Sequence, residues 1–436
     1  MAQRQLAFFP SYSPSTMSDQ TTAIGAMGAV LGYIGAEGAT TAPFERLFWP
    51  QRAYANFNWR HTAKFAVLGA TGGPIYKAAL QVMDGVCANR LLRGSRLGNM
   101  LGSSFYPQSP STYTVHGDSS GLNSPTKQAR NCLWQRVVTQ LPPPDASFHR
   151  KQDAEDGDRP SPAVRACASV HHITLSVCSI SKTAAGSIRT ESPKLSFRIV
   201  EGIIVSEAIN IVCAVLVALL WKSWIAVLWT LPLLIKLVSA ATALDRDELS
   251  IKPHMVQGEG NLEQAQNFEV HLQSEIGTFL VLTGPPKLVF QFFRHYGHPK
   301  RSHSRELTQF VLVIALAALF PIGLVLSVTI MPEGIQYFWI SSQMYLVLAM
   351  YVSRYTSIGL WASMEEWIAE VLVRNGDGGF VFVDGQSGLG VKARLESTHH
   401  RHYGEAKAAA ESLLQTSAMK HQPQEKAPSG PPAPSS

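Results

Sequence analysis

The sequence predicts an all-α membrane protein built on two transmembrane helical hairpins. Three observations carry that expectation. Two strongly apolar stretches, 199–244 and 307–355, are each long enough to cross a bilayer twice, at roughly 20 residues per helix. Each is broken only by a short turn, Lys222-Ser223-Trp224 in the first and Met331-Pro332-Glu333-Gly334 in the second. Basic residues gather beside one set of helix ends. In hydrocarbon every backbone N–H and C=O must be bonded within its own segment, so runs of this kind form helices.

Taken in order, residues 1–20 are expected to be disordered. Residues 21–95 form a Gly/Ala-rich, membrane-associated segment with up to two further spans, at 21–36 and 65–83. Residues 96–195 hold 15 Ser, 9 Pro and 7 Thr, and such a stretch buries too little apolar surface to offset its ordering entropy. A disordered linker is therefore expected there. The first hairpin, 196–245, follows. Gly202 to Trp221 carries eleven Ile, Val and Leu residues. Trp221, Trp224 and Trp229 cluster at its turn, as an interfacial aromatic belt would.

Residues 246–306 read as a cytosolic loop. Its end, Gly284 to Arg301, suggests a short interfacial helix with Pro at its start and basic residues at its end. The second hairpin, 307–356, opens with Gln309 to Ile330, which has fourteen Leu, Ile, Val and Phe residues and no charge. Its return helix, Ile335 to Tyr355, is more polar, with Ser341, Ser342 and Gln343 inside it. Four spans are expected. Residues 357–420 read as an amphipathic helix (Met364, Ile368, Val371 and Leu372 on one face), a short strand at GFVFVD (379–384) and a tail helix. GTFLVLT (277–283) also reads as a strand. Residues 421–436 are expected to be a disordered tail.

Orientation follows from charge. Lys194, Arg198, Arg246, Lys252, Lys300, Arg301, Arg305 and Arg354 lie on one side, against Lys222 alone on the other. This predicts that both turns face outward and that the long segments and both termini are cytosolic. The net charge of +6 is modest and the basic residues flank the apolar segments without forming a long Lys/Arg block, which speaks against a nucleic-acid surface of the usual strongly basic kind. Five scattered cysteines without a C-x-x-C suggest neither a disulfide framework nor a zinc site.

Several motifs bear on chemistry. Phe65 to Pro74, FAVLGATGGP, has the look of a dinucleotide-binding loop. Its third glycine place is Ile75, however, and no second strand ending in an acidic residue follows. A membrane-bound oxidoreductase is the weakest of the readings for that reason, and a glycine-rich helix or re-entrant segment fits the loop better. Arg60-x-Thr62-x-Lys64, Gly73-Pro74 and Asp84 resemble a family of peroxisomal and mitochondrial membrane proteins, but that family's aromatic pair is missing. Gly25, Gly28 and Gly32 have the spacing that lets helices approach closely in lipid. The aromatic and basic run from Phe44 to Lys64 suits a headgroup layer. His295, His298 and His303 raise metal binding, which Gly297 and Pro299 oppose by breaking the helix. His399 to His402 reads as a solvated basic spot.

Residues 199–375 resemble uncharacterised multi-pass membrane proteins of filamentous fungi. That resemblance implies a membrane location and no activity. No phosphate-binding loop, zinc-protease or serine-hydrolase motif occurs. No catalytic, cofactor-binding or metal residue is therefore assigned, and the chain is not expected to be an enzyme. The one candidate site is an intramembrane ion pair. Glu207 lies 15 residues before Lys222 and Lys236 lies 14 after it, so the two sit at equal depth in a tight hairpin and can pair. The expected function is a scaffold or accessory protein of the plasma membrane or endomembrane system. The bilayer is its partner, together with other membrane proteins or a second copy. The alternative is a small-solute transporter or channel subunit.

Overall fold

The computed structural model describes residues 19–54, 57, 59, 62–88, 112–116, 125–129, 131, 133–141, 168–180, 195–251, 266–271, 277–294, 296–297, 299–300, 302–356, 363–376, 378–384 and 387–419. In chain order the helices are α1 (Asp19–Gly38), α2 (Ala42–Phe48), α3 (Pro50–Tyr54), α4 (Thr62–Leu68), α5 (Tyr76–Ala88), α6 (Leu133–Thr139), α7 (Phe197–Ser206), α8 (Ala208–Trp221), α9 (Val227–Ala241), α10 (Pro286–Arg294), α11 (His303–Thr329), α12 (Glu333–Tyr355), α13 (Ser363–Arg374) and α14 (Tyr403–Met419). The strands are β1 (Thr112–His116), β2 (Lys127–Gln128), β3 (Ala168–Ser179), β4 (Gln266–His271), β5 (Thr278–Gly284), β6 (Gly379–Asp384) and β7 (Leu389–His400).

The strands overturn the all-α expectation. They form one seven-stranded sheet in the order β2-β1-β4-β5-β3-β7-β6. β3 and β5 pair in parallel, and every other neighbouring pair is antiparallel. The stretch 96–195, expected to be a disordered linker, supplies β1, β2, α6 and the interior strand β3. Its composition is polar, but β3 alternates: Ile173, Leu175 and Val177 are buried while Thr174, Ser176 and Cys178 are only half-buried. Period-2 alternation is what a half-buried strand needs, whatever the average composition around it. β7 repeats the device with Val391 and Ala393 buried in the same core. GTFLVLT and GFVFVD are β5 and β6, two neighbours of these strands.

One sheet face carries the core. α6, α10 and α13 pack there through Trp134, Phe292 and Ile368, against Phe268, Leu280 and Leu175 among others. The expected interfacial helix is therefore α10, and it is a core helix. Leu288, Val289, Phe292 and Phe293 face the sheet, not a headgroup layer. On the opposite face α14 seats Ala406, Ala410 and Leu414, one per turn, on Ala168, Val170 and Val281.

The helical bundle differs from four clean spans. Among the described residues, two helical segments are long and apolar enough to cross a membrane, Trp224–Ala241 and His303–Thr329. The first adds the short 3-10 turn Trp224–Ala226 to α9. A third span exists only if α7 and α8 count as one, and these are bent by 63° at Glu207. α12 is long but carries Ser341, Ser342 and Gln343. Lys222 closes the α8–α9 hairpin in the left-handed region, at φ 46°.

α1 belongs to this bundle. Gly25, Gly28 and Gly32 face Val328, Leu324 and Phe320 of α11, in reversed order. Gly35 and Gly38 face Val347 and Tyr351 of α12, in matching order. The glycine stripe thus serves packing within the chain, antiparallel to α11 and parallel to α12. It also puts the start of α1 at the end of the bundle that carries the 331–334 turn. The sheet lies at the other end, beyond the start of α11 and the finish of α12. The start of α1 and the sheet therefore lie at opposite ends of the bundle.

Between bundle and sheet runs the strap α2–α3. Of the run expected at a headgroup layer, Phe44 to Tyr54 is largely enclosed here, while Trp59 and Lys64 are exposed. Phe44 and Leu47 pack on Leu312 and Leu316 of α11, and Tyr54 packs on Ile199 and Ile203 of α7.

Candidate functional site

The 65–74 stretch begins as helix α4, not as a strand, so it cannot open a nucleotide-binding βαβ unit. Its glycine-rich segment 69–75 turns the chain back into α5. The Phe65 ring lies tilted against Tyr54 of the strap, with ring centroids 6.2 Å apart. Ala79 of α5 lies in one cluster with Phe44 and Leu47 of the strap. The α4–α5 hairpin therefore enters from the sheet end, dips into the bundle and returns. At its tip Gly72 adopts φ +107°, and a Cβ there would stand 3.0 Å from Pro232 of α9.

A loop at that depth leaves backbone groups with no water to bond. Each unmatched group of this kind carries a penalty of about 1–3 kcal/mol. Three neighbouring side chains supply the partners. Glu207 accepts from the Thr71 backbone N–H at 3.2 Å and from the Thr71 hydroxyl at 2.9 Å. Asn210 Nδ2 donates to the Thr71 carbonyl at 2.7 Å and to Glu207 Oε2 at 2.5 Å. Lys236 Nζ donates to the Gly69 carbonyl at 3.1 Å and to Ser206 Oγ at 3.0 Å.

Lys236 and Glu207 also meet each other as a buried ion pair. Glu207 is fully buried, at 0% exposure, and Lys236 is nearly so, at 5%. Glu207 is the single residue between α7 and α8, and its backbone N–H closes the end of α7 while its carboxylate makes no cap bond to α8. An anion there is favoured by the N-terminal dipole of α8, and a cation by the C-terminal dipole of α7. The two residues singled out from sequence are thus brought together. Thr71, Asn210, Ser206 and the Gly69 carbonyl complete the site and were not anticipated. The signal for them was the glycine-rich loop itself, together with Asn210, three residues after Glu207 on the face of α8.

A second polar concentration joins the layers. Arg52 of the strap pairs with Glu365 of α13, both buried. Arg136 of α6 pairs with Glu45 at 3.0 Å. The Trp49 ring lies between the Arg52 and Arg246 guanidinium groups, at 4.8 and 4.3 Å. Arg246 in turn donates to the Gly297 carbonyl at 2.8 Å and to the Phe48 carbonyl at 3.2 Å.

A third lies on the sheet. His171 Nδ1 is 2.8 Å from Ser397 Oγ, and His399 Nδ1 is 2.8 Å from Ser169 Oγ. Burial, and then the nearby His399, hold the His171 imidazole down at about 4. Burial also lowers His172, against the opposing pull of Glu396. His172 Nε2 lies 2.8 Å from Thr283 Oγ1, whose hydroxyl donates to Asn267 Oδ1. That donation leaves the threonine hydroxyl to accept from the imidazole, the reverse of what a nucleophile with a base requires. Among the described residues no group of three or more His, Cys, Asp or Glu could hold a metal ion. His295 and His298 lie outside the described residues.

No family model, curated protein or solved structure matches this chain. The reading of the site rests on its own geometry.

Proposed function

We propose that the protein is a membrane-embedded scaffold that holds a folded sheet layer at the membrane surface. The observation that carries this reading is the saturation of the Glu207–Lys236 network. An ammonium has three protons to donate, and Lys236 directs them to Gly69, Ser206 and Glu207. Both carboxylate oxygens of Glu207 are engaged as well. A network with no spare donor fastens the dipping loop to α7, α8 and α9 and leaves nothing for a passing solute. The buried Arg52–Glu365 pair then ties the bundle to the sheet layer.

The bilayer is the first partner in this reading, with other membrane proteins or a second copy seated beside it. Charge supports a cytosolic sheet. Arg198, Arg246, Lys300, Arg305 and Arg354 flank the sheet end, and Lys222 stands at the turn end. The second reading, a small-solute transporter or channel subunit, draws on one feature. A broken helix and a dipping loop around an ionisable pair are how many transporters build a midplane site. Purified protein in liposomes, tested against a panel of ions, amino acids and sugars, separates the two. The scaffold reading expects flux no greater than in empty vesicles. Saturable flux that Glu207→Gln abolishes without unfolding the protein would establish the transport reading instead.

A further inference from the structure

We propose that the oxygen cage around Lys236 Nζ is a monovalent-cation site, filled in this chain by its own tethered ammonium. The ligand set has the chemistry of such a site. It comprises one carboxylate oxygen of Glu207, the backbone carbonyl of Gly69 and the hydroxyl of Ser206, the last two at 3.1 and 3.0 Å. Hard cations take carboxylate, carbonyl and hydroxyl oxygens, and the cage carries the single negative charge that balances one positive charge.

Two helix ends also converge on it. Ser206 is the last residue of α7, and Gly69 directly follows the last residue of α4. Helix C-termini present negative ends and orient carbonyls toward cations. Asn210 holds Glu207 Oε2, and the Thr71 hydroxyl donates to the same Oε1 that meets the lysine, so the carboxylate stays organised by contacts that do not involve the lysine. Separations near 3 Å match potassium or an ammonium better than the smaller lithium. A cation permanently attached to α9 cannot leave, which accounts for a transporter-like arrangement of helix break and loop in a molecule read as a lock. The inference rests on that reading of the network.

Shortening the lysine tests it. Lys236→Ala empties the ammonium position while leaving the three oxygens. Thermal unfolding in detergent is followed in choline chloride and in potassium, sodium and methylammonium chlorides at equal ionic strength. The wild type is expected to be indifferent to the choice of cation. Lys236→Ala is expected to unfold well below the wild type in choline. It should regain at least half of the lost Tm, saturably, in potassium or methylammonium chloride. In Glu207→Gln/Lys236→Ala the cage has lost its charge, and the response should vanish.

Equal behaviour of Lys236→Ala in all four salts overturns the proposal. So does an equal response from the double variant, or failure of Lys236→Ala to fold even when prepared in methylammonium. Solute flux by the wild type would sink the lock reading and leave the cage standing. An unresponsive Lys236→Ala beside a flux-silent wild type would sink the cage alone.

Discussion

Glu207 interrupts a helix at one residue, and its carboxylate turns that interruption into an anchor. Removing either member of the pair leaves a buried charge facing backbone groups that have lost their partner, a change that costs about 3–5 kcal/mol. Glu207→Gln or Lys236→Met alone should therefore lower the yield of folded protein and its Tm sharply. The double substitution should fall between the singles and the wild type. It removes the stranded charge but still leaves the Gly69 carbonyl without its donor. Fluorescence-detected size exclusion and thermal scans measure this, and a double variant as damaged as the sum of the singles would show that the two residues are not coupled. Counting from the 222–224 turn puts 207 and 236 at one depth, so their approach was legible in the sequence. The Gly69–Thr71 loop that they serve was not, because nothing local in FAVLGATGGP says which distant helix it meets.

His171 gives a second prediction at this scale. Its folded value of about 4 lies below the ordinary 6.5, so the unfolded chain takes up the proton first as pH falls. The stability contributed by the neutral imidazole is present above pH 6.5 and is lost progressively down to about pH 4. The loss amounts to at most about 3 kcal/mol. His171→Gln should flatten the fall in Tm between pH 7 and pH 5. An unchanged slope would mean that this imidazole does not govern the acid response.

Among the elements, α1 is the most sensitive to a single added side chain. A Cβ at Gly35 would stand 2.1 Å from the Pro74 ring and 2.8 Å from Val347. A proline ring cannot rotate away, so the helix must move off the dipping loop. Gly35→Val should destabilise the bundle by about 1–3 kcal/mol or more, as overpacking does. Gly404→Val, where a Cβ meets nothing within 4 Å, is the control. Equal Tm values for the two variants would contradict the packing of α1 on this loop.

The elements also show where the sequence could be read and where it misled. β5 and β6 are apolar runs bounded by glycine or acidic residues, a strong local signal. β3 and β7 are the longest strands, yet their apolar residues are interrupted by polar ones, His, Thr and Ser in β3 and Lys, Arg and Glu in β7. Averaged over a Ser- and Pro-rich window the alternation disappears, and composition then favours disorder. α10 misled for a different reason. An apolar face with a basic end fits a membrane surface and a sheet equally well until the partner strands are known.

At the scale of the whole molecule, the direction of α1 decides at which end of the bundle this helix begins. α1 runs parallel to α12, from the end bearing the 331–334 turn to the end bearing the sheet. At about 1.5 Å per residue its 20 residues extend about 30 Å, but its apolar part, Ala23–Gly38, is shorter than the two segments that could cross a membrane. Its outward face, with Met27, Val30, Tyr33 and Ile34 exposed, has the apolar character that lipid contact requires. Along the bundle, the start of α1 and the 222–224 turn lie at one end and the β6–β7 turn lies at the other. Single cysteines at Ala23, Ser223 and Ser387 in a cysteine-free background test this with an impermeant maleimide on sealed cells. Ala23→Cys and Ser223→Cys should label together. Ser387→Cys should label only after permeabilisation if the flanking basic residues set the sheet in the cytosol, and all three patterns should invert together if they do not. Labelling of Ala23→Cys in company with Ser387→Cys would mean that α1 does not cross with α12, and that the glycine stripe packs it in some other way.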